Sequence, residues 1–367
     1  MAIEDLREKI DRIDERVIKL LGERAQLAMK IGQMKGRSST PVFAPDREEK
    51  VLRHVEAVAK DGALSAESVR AIYAEVISAC RAAERKLVVA FLGPRGTFSH
   101  HAARAVRWGT IGSQAARKRF GSGVELAPVS SIEAVFTEVA QGRADYGVVP
   151  IENTTEGGIG ATLDMFMETD LRVAAEILVR VHHAMLSKCA PRAVRQIYSK
   201  AEIFGQCRNW LANHYPQARL VEAASSAQAA ELAAKSTDSA AIANEEAAAI
   251  FGLNVLHQAI EDNPFNMTRF YVVGSLTPTA TGNDKTSILC FIKDEAGALQ
   301  NILMPFWRAG VNLTKIESWP SKRKAWDYCF FIDFEGHCDD PRIARALERV
   351  RGKCSDMKVL GSFPAAR

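Results

Sequence analysis

Between residues 3 and 34 the apolar side chains Ile3, Leu6, Ile10, Ile13, Val17, Leu20, Leu27, Ile31 and Met34 recur in steps of three and four. That period predicts one long amphipathic helix with a coiled-coil-like stripe, and it commits the N-terminal segment to an all-helical architecture. Gly32 and Gly36 weaken its end, and a loop with Pro41 and Pro45 follows. Asp46 and Glu49 form a capping pair for a second helix, Asp61-Gly62 breaks that helix, and Ser65 caps a third running to about Arg85. One residue breaks the stripe: Arg24 stands where an apolar side chain is due. It is either an arginine snorkelling at the interface edge or a buried cation awaiting an anion. Lys35 follows eleven residues later on nearly the same face, about 16 Å along the axis, and the two cations suit a small dicarboxylate held between them. Arg47, Glu48, Cys80 and Glu84 add polar groups on the other two helices, with Cys80 and Glu84 one turn apart.

Past residue 87 the period changes. Strand-like runs at 87–92, 124–129 and 146–149 alternate with helical stretches, of which 131–141 is the clearest. A second set follows, with strands at 194–199, 218–222 and 240–243 and helices at 203–213 and 226–234, before the chain returns at 255–273. The alternation predicts an α/β fold with a largely parallel sheet, in two lobes around a cleft like those of periplasmic-binding proteins. Glu152, Asn153 and Thr154 follow one strand, and Gly157-Gly158-Ile159-Gly160 opens a helix. The glycines make either an anion site at a helix N-terminus or a tight turn. Thr268 and Arg269 stand at the entrance of the strand 271–273. A hydroxyl beside a guanidinium suits an acidic substrate, although an ordinary loop pair reads the same.

Residues 277–284 have linker composition, and beyond them strands and helices alternate as β-α-β-β-α-β, the order of a ferredoxin-like module. The domains expected are therefore 1–87, 88–275 and 284–367. Net charge of +4 argues for neither nucleic acid nor a membrane surface. Seven cysteines without a C-x-x-C pair fit neither a disulfide framework nor a zinc site, and no apolar run is long enough for a membrane span. A cytoplasmic protein without metal or cofactor is expected: G-x-G-x-x-G, G-x-S-x-G and P-loop patterns are absent, and the His100-His101 and His182-His183 pairs have no helical ligand spacing.

Specific motifs join these segments. Leu6-Arg7, Glu23-Arg24, Lys35 and Asp46-Arg47-Glu48 resemble the all-helical chorismate mutases. Gly93 to Ser99, Pro150 to Thr154, Ala201 to Trp210 and Asn266 to Phe270 resemble prephenate dehydratase. Gly297-Ala298-Leu299 with Asn301, and Glu317-Ser318-Trp319-Pro320, resemble the phenylalanine-sensing ACT domain, with Trp319 where relatives usually carry Arg. The whole chain is similar to the bacterial bifunctional P-proteins, chorismate mutase–prephenate dehydratases. The resemblance implies that Arg7, Arg24 and Arg47 hold chorismate's carboxylates, that Lys35 and Glu84 bond its ether oxygen, and that Glu48 binds the ring hydroxyl, with Cys80 alongside. Arg7 lies seventeen residues before Arg24, about 25 Å away along one helix, so in this reading it serves a second subunit's site and the chain is at least a homodimer. Ala44 replaces an acidic loop residue of many members, and Glu84 a Gln of some. A carboxyl donates a proton only when protonated, so mutase activity is expected to favour acid pH.

For the dehydratase the resemblance implies Thr268 as proton donor to the departing hydroxyl. Arg269, Ser99 and Asn153 would hold carboxylates or orient Thr268, and Glu152, Thr154, Ser199 and Gln206 would line the cleft. Gly297, Ala298, Leu299, Asn301, Glu317 and Ser318 would bind phenylalanine as feedback inhibitor. Two other readings compete. A ligand-responsive transcription regulator is disfavoured by a first helix without a short helix-turn-helix. A non-catalytic amino-acid sensor is disfavoured by the joint presence of Thr268, Arg269, Arg7, Arg24 and Lys35.

Overall fold

The computed structural model describes residues 3–35, 43–93, 110–293, 295–324 and 327–366, with the side chain of Lys35 outside that set. Three helices open the chain: α1 (Ile3–Lys35), α2 (Pro45–Ala59) and α3 (Ala66–Glu84). The stripe of α1 is realised as one unbroken helix. Ser65 caps α3 by accepting from the Ser68 amide at 3.1 Å. The expected Asp46/Glu49 capping pair does not form, because the chain enters α2 through Pro45 after an uncapped Ala44. Asp46 instead accepts from the Thr279 hydroxyl at 2.5 Å, and Glu49 pairs with Arg53 and Arg70.

Both α1 and α2 pack on α3. Most of the α1 stripe stays uncovered within one chain, with Leu20 and Leu27 each 60% exposed. The α2–α3 pair is docked on the next domain. Phe43, fully buried just ahead of α2, lies 4.7 Å from the Phe120 ring and 4.9 Å from Tyr146.

The central domain has two sheets. In the first lobe β1 (Val88–Leu92), β2 (Glu125–Val129), β3 (Tyr146–Asn153), β5 (Arg172–Arg180) and β11 (Met267–Gly274) take the order β2-β1-β3-β11-β5, with β4 (Gly157–Gly158) beside β3. Helices α4 (Ile111–Phe120), α5 (Ile132–Ala140) and α6 (Gly160–Glu168) cover it. In the second lobe β6 (Ala184–Ser187), β7 (Gln196–Ser199), β8 (Arg219–Glu222), β9 (Ser239–Ala243) and β10 (Asn254–His257) take the order β10-β6-β9-β7-β8. Its helices are α7 (Ala201–Gln206), α8 (Arg208–His214), α9 (Ser226–Ala234) and α10 (Glu246–Phe251).

One expectation is qualified here and one corrected. Four of the five long strands of each sheet run one way, but one strand in each is reversed: β11 runs antiparallel to both β3 and β5, and β6 antiparallel to both β9 and β10. The cause is the doubled crossing between lobes, which sends β11 back beside strands the chain has already laid down. The single helix expected at 203–213 is split at Cys207 into α7 and α8. Asp262 of the returning segment accepts from the Asn209 and Trp210 amides at 2.8 and 2.9 Å and supplies the second start. The two crossings bond each other, Val181 N to Asn266 O at 2.9 Å and Ile260 N to His183 O at 3.0 Å.

The C-terminal module is β12 (Asp284–Phe291), α11 (Ala298–Arg308), β13 (Leu313–Pro320), β14 (Tyr328–Glu335), α12 (Pro341–Arg351) and β15 (Asp356–Pro364), with sheet order β13-β14-β12-β15. One face of this sheet carries its own helices. The other packs on the first lobe, so that Leu289, Phe331 and Phe363 share a continuous core with Phe136, Phe166 and Tyr271. Among the described residues no helix is long and apolar enough to cross a membrane.

The backbones of β15 and β5 nearly touch: a Cβ on Gly361 would lie 2.3 Å from the Val173 carbonyl oxygen. A Gly361→Ala chain must separate the two domains to fit its methyl group, at a cost of about 1–3 kcal/mol. Thermal unfolding checks this; an unchanged midpoint would show that the contact yields freely.

Candidate active sites and effector site

The central site begins with strand pairing. In the β3–β11 ladder Thr268 pairs with Asn153 and Arg269 with Glu152. Successive strand residues point to opposite faces, so each pair serves one face of the sheet. Thr268 and Arg269 stand near the entrance of the strand as expected, but β11 begins already at Met267, so both lie within it and are buried. Directly beyond them the register shifts, with Arg269 opposite Glu152 but Phe270 opposite Pro150. A bulge at this place re-aims the side chains beside it.

On the cleft face the amide of Asn153 is fixed from both ends. Its Oδ1 accepts from the Thr155 and Glu156 amides at 2.8 and 3.1 Å. Its Nδ2 therefore faces Thr268, donating to Oγ1 at 2.9 Å and to Asn266 Oδ1 at 3.0 Å. Asn266 Nδ2 donates in turn to Gln206 Oε1 at 3.1 Å, which also meets His183 Nε2 at 2.7 Å. Gln206 Nε2 reaches back to Glu156 at 3.0 Å. Thr268 and Asn153 of the first lobe are thus joined to Gln206 of the second through Asn266 and beside His183, one from each crossing. The Thr268 oxygen accepts from Asn153 and so keeps its own proton for a ligand. Burial lowers the His183 imidazole below its ordinary value, leaving it neutral as a donor to Gln206. Cys207, beside Gln206, is no nucleophile: burial, with Asp262 and Glu261 nearby, pushes its thiol up to about 12. Asn266 and His183 are members that motif reading did not single out by role; both are held by Gln206, which it did.

Several expected cleft residues stand elsewhere. Arg269 faces away from Thr268 and pairs with Glu152 at 2.6 Å and with Asp333 of β14 at 3.0 Å. Strand alternation sends both Arg269 and Glu152 to the sheet's other face. Ser199 is fully buried inside the second lobe, donating to the Ile242 carbonyl at 2.9 Å. Thr154 is exposed and staples the 263–267 turn, accepting from Met267 N and donating to Phe265 O. Ser99 lies outside the described residues.

The glycines at 157–160 are a docking seat, not an anion pocket. A Cβ at Gly158 would lie 1.9 Å from Glu317 Oε1, and one at Gly160 would lie 2.4 Å from the Trp319 ring. Trp319 Nε1 donates to Asp164 of α6 at 2.8 Å. Lys315, Glu317 and Trp319 share the inner face of β13, while Ile316 and Ser318 are exposed on the other. Glu317 therefore belongs to the domain contact and pairs with Lys315 at 2.6 Å. Gly297 starts α11 with φ +83°, a conformation that favours glycine, and Gly297, Ala298 and Leu299 border a cavity of about 270 Å³ with Tyr328 and Phe330. Asn301 sits one turn on, its amide bonded to the Gly297 carbonyl at 2.9 Å. Within one chain Glu317 and Ser318 do not line this cavity.

In the helical domain Glu84 reaches α1, where a Cβ at Gly32 would lie 2.2 Å from its Cγ. This brings Glu84 within a turn of Lys35 at the end of α1. Arg24 is half-buried, Cys80 is buried on the same helix face as Glu84, and Arg47 is exposed. Arg7 is exposed and pairs with Glu4, one turn away, at 3.2 Å. Glu48 departs from expectation. It is buried between Arg81 and Arg119, the latter at 2.9 Å from α4 of the central domain. Arg81 and Arg119 hold its carboxylate at the junction with the central domain.

The family pattern of chorismate mutase type II matches residues 6–85, that of prephenate dehydratase residues 89–277, and that of the ACT domain residues 286–352. A bifunctional chorismate mutase/prephenate dehydratase of Aquifex aeolicus is 43% identical, the alignment covering 99% of this chain and 98% of that one. One from Pseudomonas aeruginosa is 41% identical over 98% of this chain and 97% of its own. Among solved structures, a prephenate dehydratase from Arthrobacter aurescens in complex with L-Phe is 33% identical with a TM-score of 0.66, covering 76% of this chain and 90% of its own.

The His183 site has a pH signature. The folded chain holds this imidazole below its ordinary 6.5, so as pH falls the unfolded chain takes up the proton first. Stability from the site is complete above about pH 6.5 and is lost as pH falls through the folded value. A His183→Gln chain should lose less stability than the parent as pH falls below about 6.5. Denaturant midpoints measured across that range check it, and parallel slopes would contradict it.

Proposed function

This chain belongs to the bifunctional chorismate mutase/prephenate dehydratases, an isomerase and a lyase followed by an ACT domain, and we propose how its residues divide the work. It rearranges chorismate to prephenate, then dehydrates and decarboxylates prephenate to phenylpyruvate, with phenylalanine as feedback inhibitor.

In the dehydratase step Thr268 gives its hydroxyl proton to the departing ring hydroxyl, which leaves as water. The electron pair of the breaking C–C bond enters the ring, which becomes aromatic, and the carboxylate leaves as carbon dioxide. Solvent returns a proton to Thr268. The observation that carries this reading is the 2.9 Å bond from Asn153 Nδ2. It occupies a lone pair on Oγ1 and aims the proton outward, and its neighbour Asn266 ties the arrangement to Gln206 across the cleft. One positioned acid with electrostatic support suffices for a step driven by aromatisation.

In the mutase step no nucleophile is needed. Arg24 and Arg47 hold carboxylates, while Lys35 and Glu84 bond the ether oxygen; selecting the compact conformer and stabilising charge at that oxygen supply the rate. Glu84 rather than Glu48 is the acidic residue of this site, since both Glu48 oxygens are engaged by Arg81 and Arg119. Arg7 works in a partner's site. The bare stripe of α1 supports an antiparallel homodimer, because an apolar strip that long on a helix marks an interaction surface. Seven unpaired cysteines suit a cytoplasmic setting. Phenylalanine occupies the Gly297–Tyr328 cavity, with Ser318 on the exposed face of β13 offered to a neighbouring copy.

Phenylpyruvate formation from chorismate tests the reading directly. Thr268→Ala should stop at prephenate, and phenylalanine should inhibit the parent chain. Glu84→Gln should flatten the mutase pH–rate profile; an unchanged profile removes the role given to Glu84. Arg7→Ala and Lys35→Ala chains should each lack mutase activity, yet regain up to about a quarter of it when mixed, since half the dimers then hold one complete site. No recovery on mixing would mean that Arg7 serves its own chain or none.

A further inference from the structure

The face of β11 turned away from the cleft carries a charge cluster, extended at its edges by Lys285 on Glu176 at 2.8 Å and Lys315 on Glu152 at 3.6 Å. Arg269 donates to Glu152 at 2.6 Å, pairs with Asp333 at 3.0 Å and stands 3.7 Å from Glu176. Tyr271, two residues on and so on the same face, donates its hydroxyl to Asp333 at 2.7 Å. Asp333 is 1% exposed and belongs to β14 of the ACT domain, whereas its partners belong to the catalytic strand. One carboxylate from the effector domain therefore holds two residues of β11. The first directly follows Thr268, and Glu152, on the other side of Arg269, directly precedes Asn153. The four residues Thr268, Arg269, Asn153 and Glu152 form two adjacent cross-strand pairs at the edge of the bulge, so Arg269 cannot shift without disturbing the Thr268–Asn153 pair. Burial works against the Arg269 charge, and Tyr271, Asp333, Glu152 and Glu176 more than offset it.

We infer that Asp333 is a positioning residue of the dehydratase reaction, by which the ACT domain fixes the catalytic strand from behind even when no effector is bound. The inference rests on Thr268 as the proton donor. Without the Asp333 charge, Arg269 relaxes toward Glu152 and Glu176, and the strand tilts at the bulge. A misplacement near 1 Å at a reacting group costs about 100-fold in rate.

The test measures prephenate turnover without phenylalanine in the full chain carrying Asp333→Asn. This variant keeps the side chain's shape and an acceptor for Tyr271. The expected result is a fall in kcat of about 10- to 100-fold with KM within about threefold, mutase activity unchanged, and restoration of most of kcat by Asp333→Glu. A structural role alone would leave kcat of the folded protein intact. An unchanged kcat, or a loss confined to KM, overturns the inference. Should Asp333→Asn fail to fold, Tyr271→Phe decides: it removes one of the two Asp333 contacts and should lower kcat at constant KM, and an unaltered kcat again overturns it. Thr268→Ala separates the two claims. If that chain still dehydrates prephenate, the reading of Thr268 fails; if it is inert while Asp333→Asn is fully active, only the role of Asp333 fails.

Discussion

The register of β11 against β3 is the constraint on which the rest of the molecule turns. Thr268 opposite Asn153 and Arg269 opposite Glu152 give the sheet two chemically distinct faces at one place. Toward the cleft lie neutral amides and a hydroxyl, joined by hydrogen bonds. Away from it, an arginine is buried among carboxylates. A slip of one residue would exchange the faces, placing a guanidinium in the cleft and a hydroxyl among acids. Both pairings are mutually exclusive with that slip, because it would leave Asp333 buried beneath the ACT sheet without its cation.

The three domains meet through groups that local sequence assigns to other tasks. Gly158 and Gly160 have the composition of an anion site or a tight turn, yet their missing side chains make room for Glu317 and Trp319. Trp319 stands where an arginine is usual in related motifs, and it uses both its ring, over Gly160, and its indole N–H, to Asp164. Glu48 sits in a substrate-binding motif but is held between Arg81 and Arg119. In each case the residue type is right for recognition, and what it recognises is a neighbouring domain.

Much of this was legible beforehand, and the limits have physical causes. The long helix, the Ser65 cap, the two-lobed α/β order and the β-α-β-β-α-β module all follow from periods and caps, which are local. Thr268, Asn153 and Gln206 come from three separate motifs, and the hydrogen bonds that join them through Asn266 are visible only in three dimensions. Arg269 and Glu152 were misplaced because adjacency in sequence was read as adjacency in space, whereas a strand sends neighbours to opposite faces. The one reversed strand in each sheet escapes a local reading for a similar reason: strand direction depends on where the chain has already been, which no window of residues records. Asp333 could not be found at all, since nothing within β14 distinguishes it from a surface aspartate until Arg269 and Tyr271 are seen beneath it.

Phe43 carries a consequence for how the polypeptide can be divided. It precedes α2 and falls within the mutase segment, yet its ring fills a hole among Phe120, Tyr146 and the strands of the first lobe. A cut near residue 87 respects the sequence boundary but not this core. It leaves an empty aromatic socket in one fragment and a bare phenylalanine in the other. The two enzymes are thus not portable modules on a string: one keeps a piece of its neighbour's interior, and either half taken alone inherits the other's wound.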